Sequence, residues 1–177
     1  MSALFTARLA LDPLVRGDSA ELFTVRGDPE VMKFWDWPHD SDPSMTTHLV
    51  EQMLREVASA RACYWTMRLR SDRAFVGLCD LSELGANQSA DIGIMIERKF
   101  WGLSLANEAI ACILDEARSR GVIVVRARIH RENERSARLL VRAGFTEVPG
   151  VADVEVQPGL YRTCRRFEVA LVEPAKS

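Results

Sequence analysis

Hydrophobic positions along this 177-residue chain recur at two spacings, every second residue and every third or fourth, and the changes between them mark out the elements. Residues 8–13 alternate as a strand does, with Leu9 and Leu11 on one side. Asp18, Ser19, Ala20 and Glu21 then offer a capping box for a short helix that stops at Gly27, and Asp28 followed by Pro29 opens a second. A third helix starts at Asp42 and Pro43 and runs to about residue 60, because Leu49, Val50, Met53, Leu54 and Val57 return at helical spacing. Two β-rich runs, 63–70 and 75–81, flank the polar turn Ser71, Asp72, Arg73 and predict an antiparallel pair.

Residues 90–97 form the next strand and lead into a helix over 105–120, whose apolar face is Ala106, Ala109, Ile110, Ile113, Leu114 and Ala117 and whose stop is Gly121. A strand over 122–129 follows. Asn133 caps another helix, with Ala137, Leu140 and Val141 facing inward and Gly144 as its end. Phe145 starts a strand, 148–158 reads as irregular and polar, and 161–172 is a final strand with Phe167, Val169 and Leu171 on one face. The order predicts a mixed α/β fold, hairpins first and then strand, helix, strand. Neither a linker nor a repeat interrupts it, so residues 1–177 read as one domain.

Composition narrows the function classes. At 47% hydrophobic and 27% charged, the chain can bury a core, and a net charge of −2 argues against binding nucleic acid through a broad basic field. The longest apolar runs, such as residues 122–125, fall far short of the roughly 20 residues that cross a bilayer. The start lacks a basic segment followed by a long apolar one, so a cytoplasmic protein without membrane association is expected. Cys63, Cys79, Cys112 and Cys164 contain no Cys-x-x-Cys pair, and His39, His48 and His130 have no ligand spacing, so no metal is expected.

The richest stretch is Trp101, Gly102, Leu103, Ser104, Leu105, Ala106, where a small-residue turn enters a long helix. The first turn of a helix carries unpaired N–H groups and the positive end of its dipole, so the backbone itself can hold a phosphate. The patterns Gly-x-x-x-x-Gly-Lys-Ser/Thr and Gly-x-Gly-x-x-Gly are absent, which disfavours a nucleotide-binding loop.

Five segments in order resemble the GNAT acyltransferase superfamily, most closely its RimL/RimJ-like branch: Arg8 to Leu11, Asp28 to Met32, Ala90 to Gly93, Trp101 to Ala109, and the Asn133-x-x-Ser136 stretch that ends at Gly144 and Phe145. The resemblance spans nearly the whole chain. It implies a GNAT fold with a central, mixed, mostly antiparallel twisted sheet flanked by helices, with the 90–97 and 122–129 strands as parallel neighbours. It also implies acetyl-CoA as cosubstrate, with Trp101, Gly102, Leu103, Ser104, Leu105 and Ala106 around its pyrophosphate. Ser104 stands where the family usually has glycine, and a serine takes positive φ less freely.

The same resemblance makes the strand of Asp91, Gly93, Met95, Ile96 and Glu97 the one that pairs with the pantetheine arm, with a backbone N–H near Met95 or Ile96 polarising the thioester carbonyl. Asn133 would contact the pantetheine, besides being a good N-cap, and Ser136 would protonate the departing thiolate. An alkylammonium with a pKa near ~10 must lose a proton before attack, and an α-amino group near ~8 needs less help. Asp91 is the first candidate for that step and Glu97 the second, while Tyr161 is a rival proton donor. Trp35 and Trp37 would wall the acceptor site, suited to a cationic amine or peptide N-terminus. Arg138 and Arg142, one turn apart, could meet the coenzyme's ribose phosphate. Nothing beside Cys112 suggests an activated thiolate.

The expectation is an N-acetyltransferase that moves acetyl from acetyl-CoA to a primary amine by direct attack in a ternary complex, without metal or acyl-enzyme. The acceptor is a protein N-terminus or a small molecule, and a homodimer is compatible with the resemblance. The alternative is a non-catalytic acyl-CoA-binding sensor.

Overall fold

A computed structural model describes residues 1–84, 88–157 and 159–171. Eight strands form one sheet in the order β1-β2-β3-β4-β5-β6-β8-β7. They are β1 (Leu4–Phe5), β2 (Leu9–Pro13), β3 (Cys63–Leu69), β4 (Phe75–Ser82), β5 (Ser89–Ile96), β6 (Val124–His130), β7 (Thr146–Gln157) and β8 (Leu160–Ala170). Every pairing is antiparallel except β5 with β6, the parallel pair that the resemblance implies. Helices α1 (Ser19–Arg26), α2 (Pro29–Met32) and α3 (Pro43–Ala58) precede β3, α4 (Leu105–Ser119) lies between β5 and β6, and α5 (Glu134–Arg142) between β6 and β7.

Strand alternation divides the core into two halves. Trp65, Met67, Cys79, Leu81 and Val125 pack with Ile110, Ile113 and Ala117 of α4 and with Ala137 and Leu140 of α5. On the opposite face Tyr64, Leu78 and Met95 meet Leu22 and Val25 of α1, Met32 of α2 and Val50 and Met53 of α3. The helices between β2 and β3 cover one face, and those after β5 cover the other. Among the described residues no helix is long and apolar enough to cross a membrane.

Three expectations change. The capping box at Asp18 does not form; Asp18 Oδ2 accepts from the Val15 N–H at 2.9 Å, and Asp18 and Glu21 both receive hydrogen bonds from Arg68 of β3. A local motif has yielded to a cation delivered by the sheet. The stretch from Val148 is not irregular but lies in β7, and register shifts between Val148 and Ala152 and between Glu155 and Gln157 explain why its alternation fails. Pro158 lies outside the described residues, as does Val172 at the expected end of the last strand. Val141 is exposed, because α5 buries a narrow stripe at Ala137 and Leu140.

The connection from α2 to α3 is bolted from below. Arg26 donates from Nη2 to Asp40 Oδ1 at 2.6 Å and from Nε to Oδ2 at 3.2 Å, and the Thr46 hydroxyl donates to the same carboxylate at 2.6 Å. All three side chains are buried, which fixes the ends of a loop carrying Trp35, Asp36 and Trp37.

Candidate active site

β5 and β6 pair only from Ser89 opposite Val124 to Asp91 opposite Arg126. Beyond that point β5 continues to Ile96 and β6 to His130 without bonding to each other, so the sheet opens as a split. Alternation decides which β5 groups face it. The Glu97 N–H donates to Val76 O at 2.8 Å, so Met95 and Gly93 also turn their main-chain groups toward β4, while Ile94 and Ile96 turn theirs into the split. The indole of Trp101 donates to Ile96 O at 2.8 Å. Of the two expected amides, Met95's faces β4 and Ile96's faces the split. Met95 is a lining residue of the first cavity and part of the core beneath α1–α3, and the N–H groups aimed at the split belong to Ile94 and Ile96.

At the wide end of the split, the turn before α4 forms a cradle. Gly102 has φ +83 and Ser104 φ +61, ψ +13, two left-handed residues that turn the chain sharply into the helix. A Cβ on Gly102 would meet nothing within 4 Å, so the glycine serves its torsion angle, not close packing. Ser104 is the N-cap of α4 yet makes no side-chain cap hydrogen bond, which leaves the first-turn amides without a side-chain cap. The guanidinium of Arg135 lies 3.9 Å over the Trp101 ring and ties α5 to the turn.

Two cavities meet at the split. The first, about 320 Å³, reaches from Met95 and Ile96 to Trp101, Gly102, Ser104, Leu105 and Ala106, with Arg142 at its margin. The second, about 510 Å³, lies over the β5 floor beside Asp80, Asp91 and Gly93 and against β6. Phe34, Trp35, Ile94, Asn133, Ser136 and Leu139 line both, so they form the junction. Asn133 Oδ1 accepts from the Ser136 N–H at 3.1 Å, and the cap that starts α5 thus also sets both side chains at this junction.

Other expected residues stand apart. Leu103 is 53% exposed, and Glu97 is held by Lys99 at 2.8 Å; neither lines a cavity. Trp37, 52% exposed, lines neither cavity, whereas Trp35 lines both. Tyr161 is 61% exposed on the β7–β8 hairpin opposite Glu155, and it too lines neither. Arg138 lines neither cavity.

Residues 8–146 match the acetyltransferase (GNAT) domain family. The chain belongs to the GNAT acetyltransferases. This GNAT chain is 26% identical over 162 residues to the uncharacterized N-acetyltransferase p20 of Bacillus licheniformis, with 90% of each chain covered. Among solved structures its fold is similar to spermidine N-acetyltransferase from Vibrio cholerae in complex with CoA and spermine, with TM-score 0.79, 20% identity, and 92% of this chain and 95% of that one covered. It is also similar to RimL, a ribosomal L7/L12 α-N-protein acetyltransferase in complex with CoA, with TM-score 0.83, 15% identity, and 95% and 97% covered.

In this GNAT domain the carboxylates of the second cavity are differently engaged. Asp91 accepts from Arg126 Nε at 3.0 Å, and Asp36 from Arg128 Nη2 at 2.6 Å. Asp80, which the sequence reading passed over as one polar position in a strand, makes no ion pair among the described residues; burial pushes its carboxyl up to about 7, with Ser82 hydrogen bonding against that and Asp91 and Glu56 adding to it. The available signal was a lone acid in Val76-Gly77-Leu78-Cys79-Asp80-Leu81, an otherwise apolar strand. His130, considered from the sequence only as a metal ligand, also belongs to this cavity. It stacks on Phe34 with ring centroids 5.4 Å apart and lines the second cavity, its Nδ1 accepting from the Glu132 N–H at 3.3 Å.

The thiols are not set up for covalent chemistry. Burial raises Cys79 well above the usual thiol range, and burial together with Asp115, Glu116 and Glu108 raises Cys112. Cys164 lines the second cavity, and burial raises it as well. A thiolate would need a cationic or dipolar partner that lowers the pKa, and the dominant influence here runs the other way.

Proposed function

We propose that this GNAT enzyme transfers the acetyl group of acetyl-CoA to a primary amine by direct attack in a ternary complex. The observation that carries the reading is the meeting of the two cavities at Ile94, Asn133 and Ser136, which gives a cofactor arm and an acceptor separate approaches to one point. The residues fit the cofactor. Gly102 and Ser104 shape a turn whose amides face a pyrophosphate at the positive end of α4, Arg142 adds a cation, and the split backbone at Ile94 and Ile96 offers strand-like hydrogen bonds to the amides of a pantetheine arm. Acetyl-CoA supplies a thioester that is already activated for attack.

The chain's own groups then do three things. An Ile94 or Ile96 N–H, aimed into the split, stabilises negative charge developing on a carbonyl oxygen. Asn133 and Ser136 orient the arm and place a hydroxyl at the junction for the leaving sulfur. Trp35 and the acidic floor receive a cationic amine, which is the chemistry shared by a polyamine and a protein N-terminus.

Calorimetric titration with acetyl-CoA, followed by thiol release across polyamines, amino acids and short peptides with free N-termini, tests this. Binding in the micromolar range and turnover with one amine class are expected. Failure to bind overturns the reading, and binding without turnover of any amine replaces it with an acyl-CoA sensor.

A further inference from the structure

The floor of the second cavity contains a complementary notch. Asp80 of β4 is paired in register with Gly93 of β5, and a Cβ built on Gly93 would lie 2.2 Å from Asp80 Oδ1. That separation is impossible for real atoms, so the carboxylate occupies space that only a glycine leaves open. Gly93 and Met95 point to the same face of β5, one strand repeat apart, and Ile94 between them lines the junction of the two cavities. A carboxylate held over Gly93 therefore lines the second cavity, which shares Ile94 with the first.

We propose that Asp80 is the proton acceptor for the amine and that Gly93 exists to seat it. The inference rests on the acetyltransferase reading above and assigns the group that reading leaves open. The other candidates facing the cleft are engaged elsewhere or open to solvent, as is Glu83, which lines the cavity from an exposed position just past the end of β4. Asp91 on β5 is held by Arg126 and Asp36 on the α2–α3 loop by Arg128, so each carboxylate faces a permanent cation. His130 on β6 has its Nδ1 committed to the Glu132 N–H. On β3 the Tyr64 hydroxyl donates to Glu56 of α3 at 2.6 Å, which occupies both groups.

Burial and the nearby carboxylates Asp91 and Glu56 hold Asp80 at about 7, where a base is both present and strong enough to remove a proton from an ammonium group. The Asp80 carboxylate takes one proton from the ammonium. The neutral nitrogen attacks the thioester carbonyl carbon, the C–N bond forms, and the C–S bond breaks with its electron pair leaving on sulfur. The second nitrogen proton passes to the thiolate, giving amide and free thiol, and Asp80 returns its proton to solvent.

The test uses the full chain, with Asp80→Asn, Asp80→Glu, Gly93→Ala and the double variant Asp80→Asn/Gly93→Ala. Spermidine and a short peptide with a free N-terminal serine serve as acceptors, and acetyl-CoA affinity is read by calorimetry. In the wild type, kcat/KM for the amine rises with pH along a limb near 7. Asp80→Asn loses that limb and about 100-fold or more of kcat/KM with acetyl-CoA affinity unchanged, while Asp80→Glu recovers part of the rate. Gly93→Ala costs roughly tenfold alone by displacing the carboxylate and nothing more in the Asn background. A pH limb retained in Asp80→Asn, or additive losses in the double variant, overturns the proposal while leaving the acetyltransferase reading intact.

Carboxyl carbon NMR supplies a readout independent of turnover. A resonance that titrates near 7 and is lost in Asp80→Asn supports the proposal, and an Asp80 that titrates near 4 overturns it. Absence of acetyl-CoA binding to the wild type instead removes the reading on which the proposal rests.

Discussion

Arg8 Nη1 donates to the carbonyl oxygen of Leu103 at 3.0 Å, which fixes one peptide of the turn before α4 from the bend between β1 and β2. The same side chain is anchored by Glu108 in the first turn of α4, whose carboxylate accepts from Arg8 Nε at 2.8 Å, from the Arg8 N–H at 2.7 Å and from the Thr6 hydroxyl. Because carbonyl and amide of one peptide point in opposite directions, holding Leu103 O outward turns the Ser104 N–H inward. Arg8 thus orients a donor it does not adjoin.

Arg8→Ala is expected to weaken acetyl-CoA binding by about fivefold, on the order of 1 kcal/mol for a half-exposed hydrogen bond to a charged group. Calorimetry reads the affinity, and kcat at saturating acetyl-CoA should stay near the wild-type value. An unchanged Kd would show that the turn holds its shape unaided.

Ser104 occupies the left-handed region at φ +61, where a side chain costs roughly 1–2 kcal/mol relative to glycine. Ser104→Gly removes that strain and is expected to preserve or tighten acetyl-CoA binding by a few-fold. Weaker binding would mean that the hydroxyl itself contacts phosphate.

Asp80 also links stability to pH. Its folded value, about 7, lies above the ordinary 3.8, so the folded state binds a proton more tightly than the unfolded chain does. The stability held by the neutral carboxyl is complete below the ordinary value and is lost as pH rises to about 7, by up to roughly 4 kcal/mol. Asp80→Asn cannot ionise, so its melting temperature should exceed that of the wild type increasingly from pH 5 to pH 8. Equal pH slopes for the two proteins would place Asp80 in the normal carboxylate range.

Arg26 and Asp40 form a buried pair, with 8% and 3% of their side chains exposed. Arg26→Met leaves a buried carboxylate uncompensated and should cost about 3–5 kcal/mol by denaturant unfolding, whereas Arg26→Met with Asp40→Leu should recover most of it. The pair also anchors the loop of Trp35, so the double variant should show a raised KM for the amine with acetyl-CoA affinity retained. An unaltered amine KM would confine the pair to stability.

Much of this was legible from local pattern. The α4 entrance and the Asn133 cap depend on residues close in sequence and are found where the spacing puts them, and the β5–β6 pair is parallel as the family resemblance implies. What escaped depends on register. The notch joins Asp80 to Gly93 through a hairpin, and no periodicity within either strand announces the contact. Asp18 and Glu21 were misread because Arg68, distant in sequence, supplied a stronger partner than the helix amides. Trp37 and Tyr161 share the residue types of a binding wall, but the side to which each points is set by loop and hairpin geometry.

A cradle made of main-chain N–H groups constrains torsion angles at two positions, 102 and 104, and leaves neighbouring side chains almost unspecified. A saturation scan across residues 101–106 would therefore show intolerance to β-branched residues at 102 and 104 and broad tolerance at Leu103. Such a turn can accumulate substitutions while its curvature persists. Shape, not wording, is what this part of the chain has to transmit.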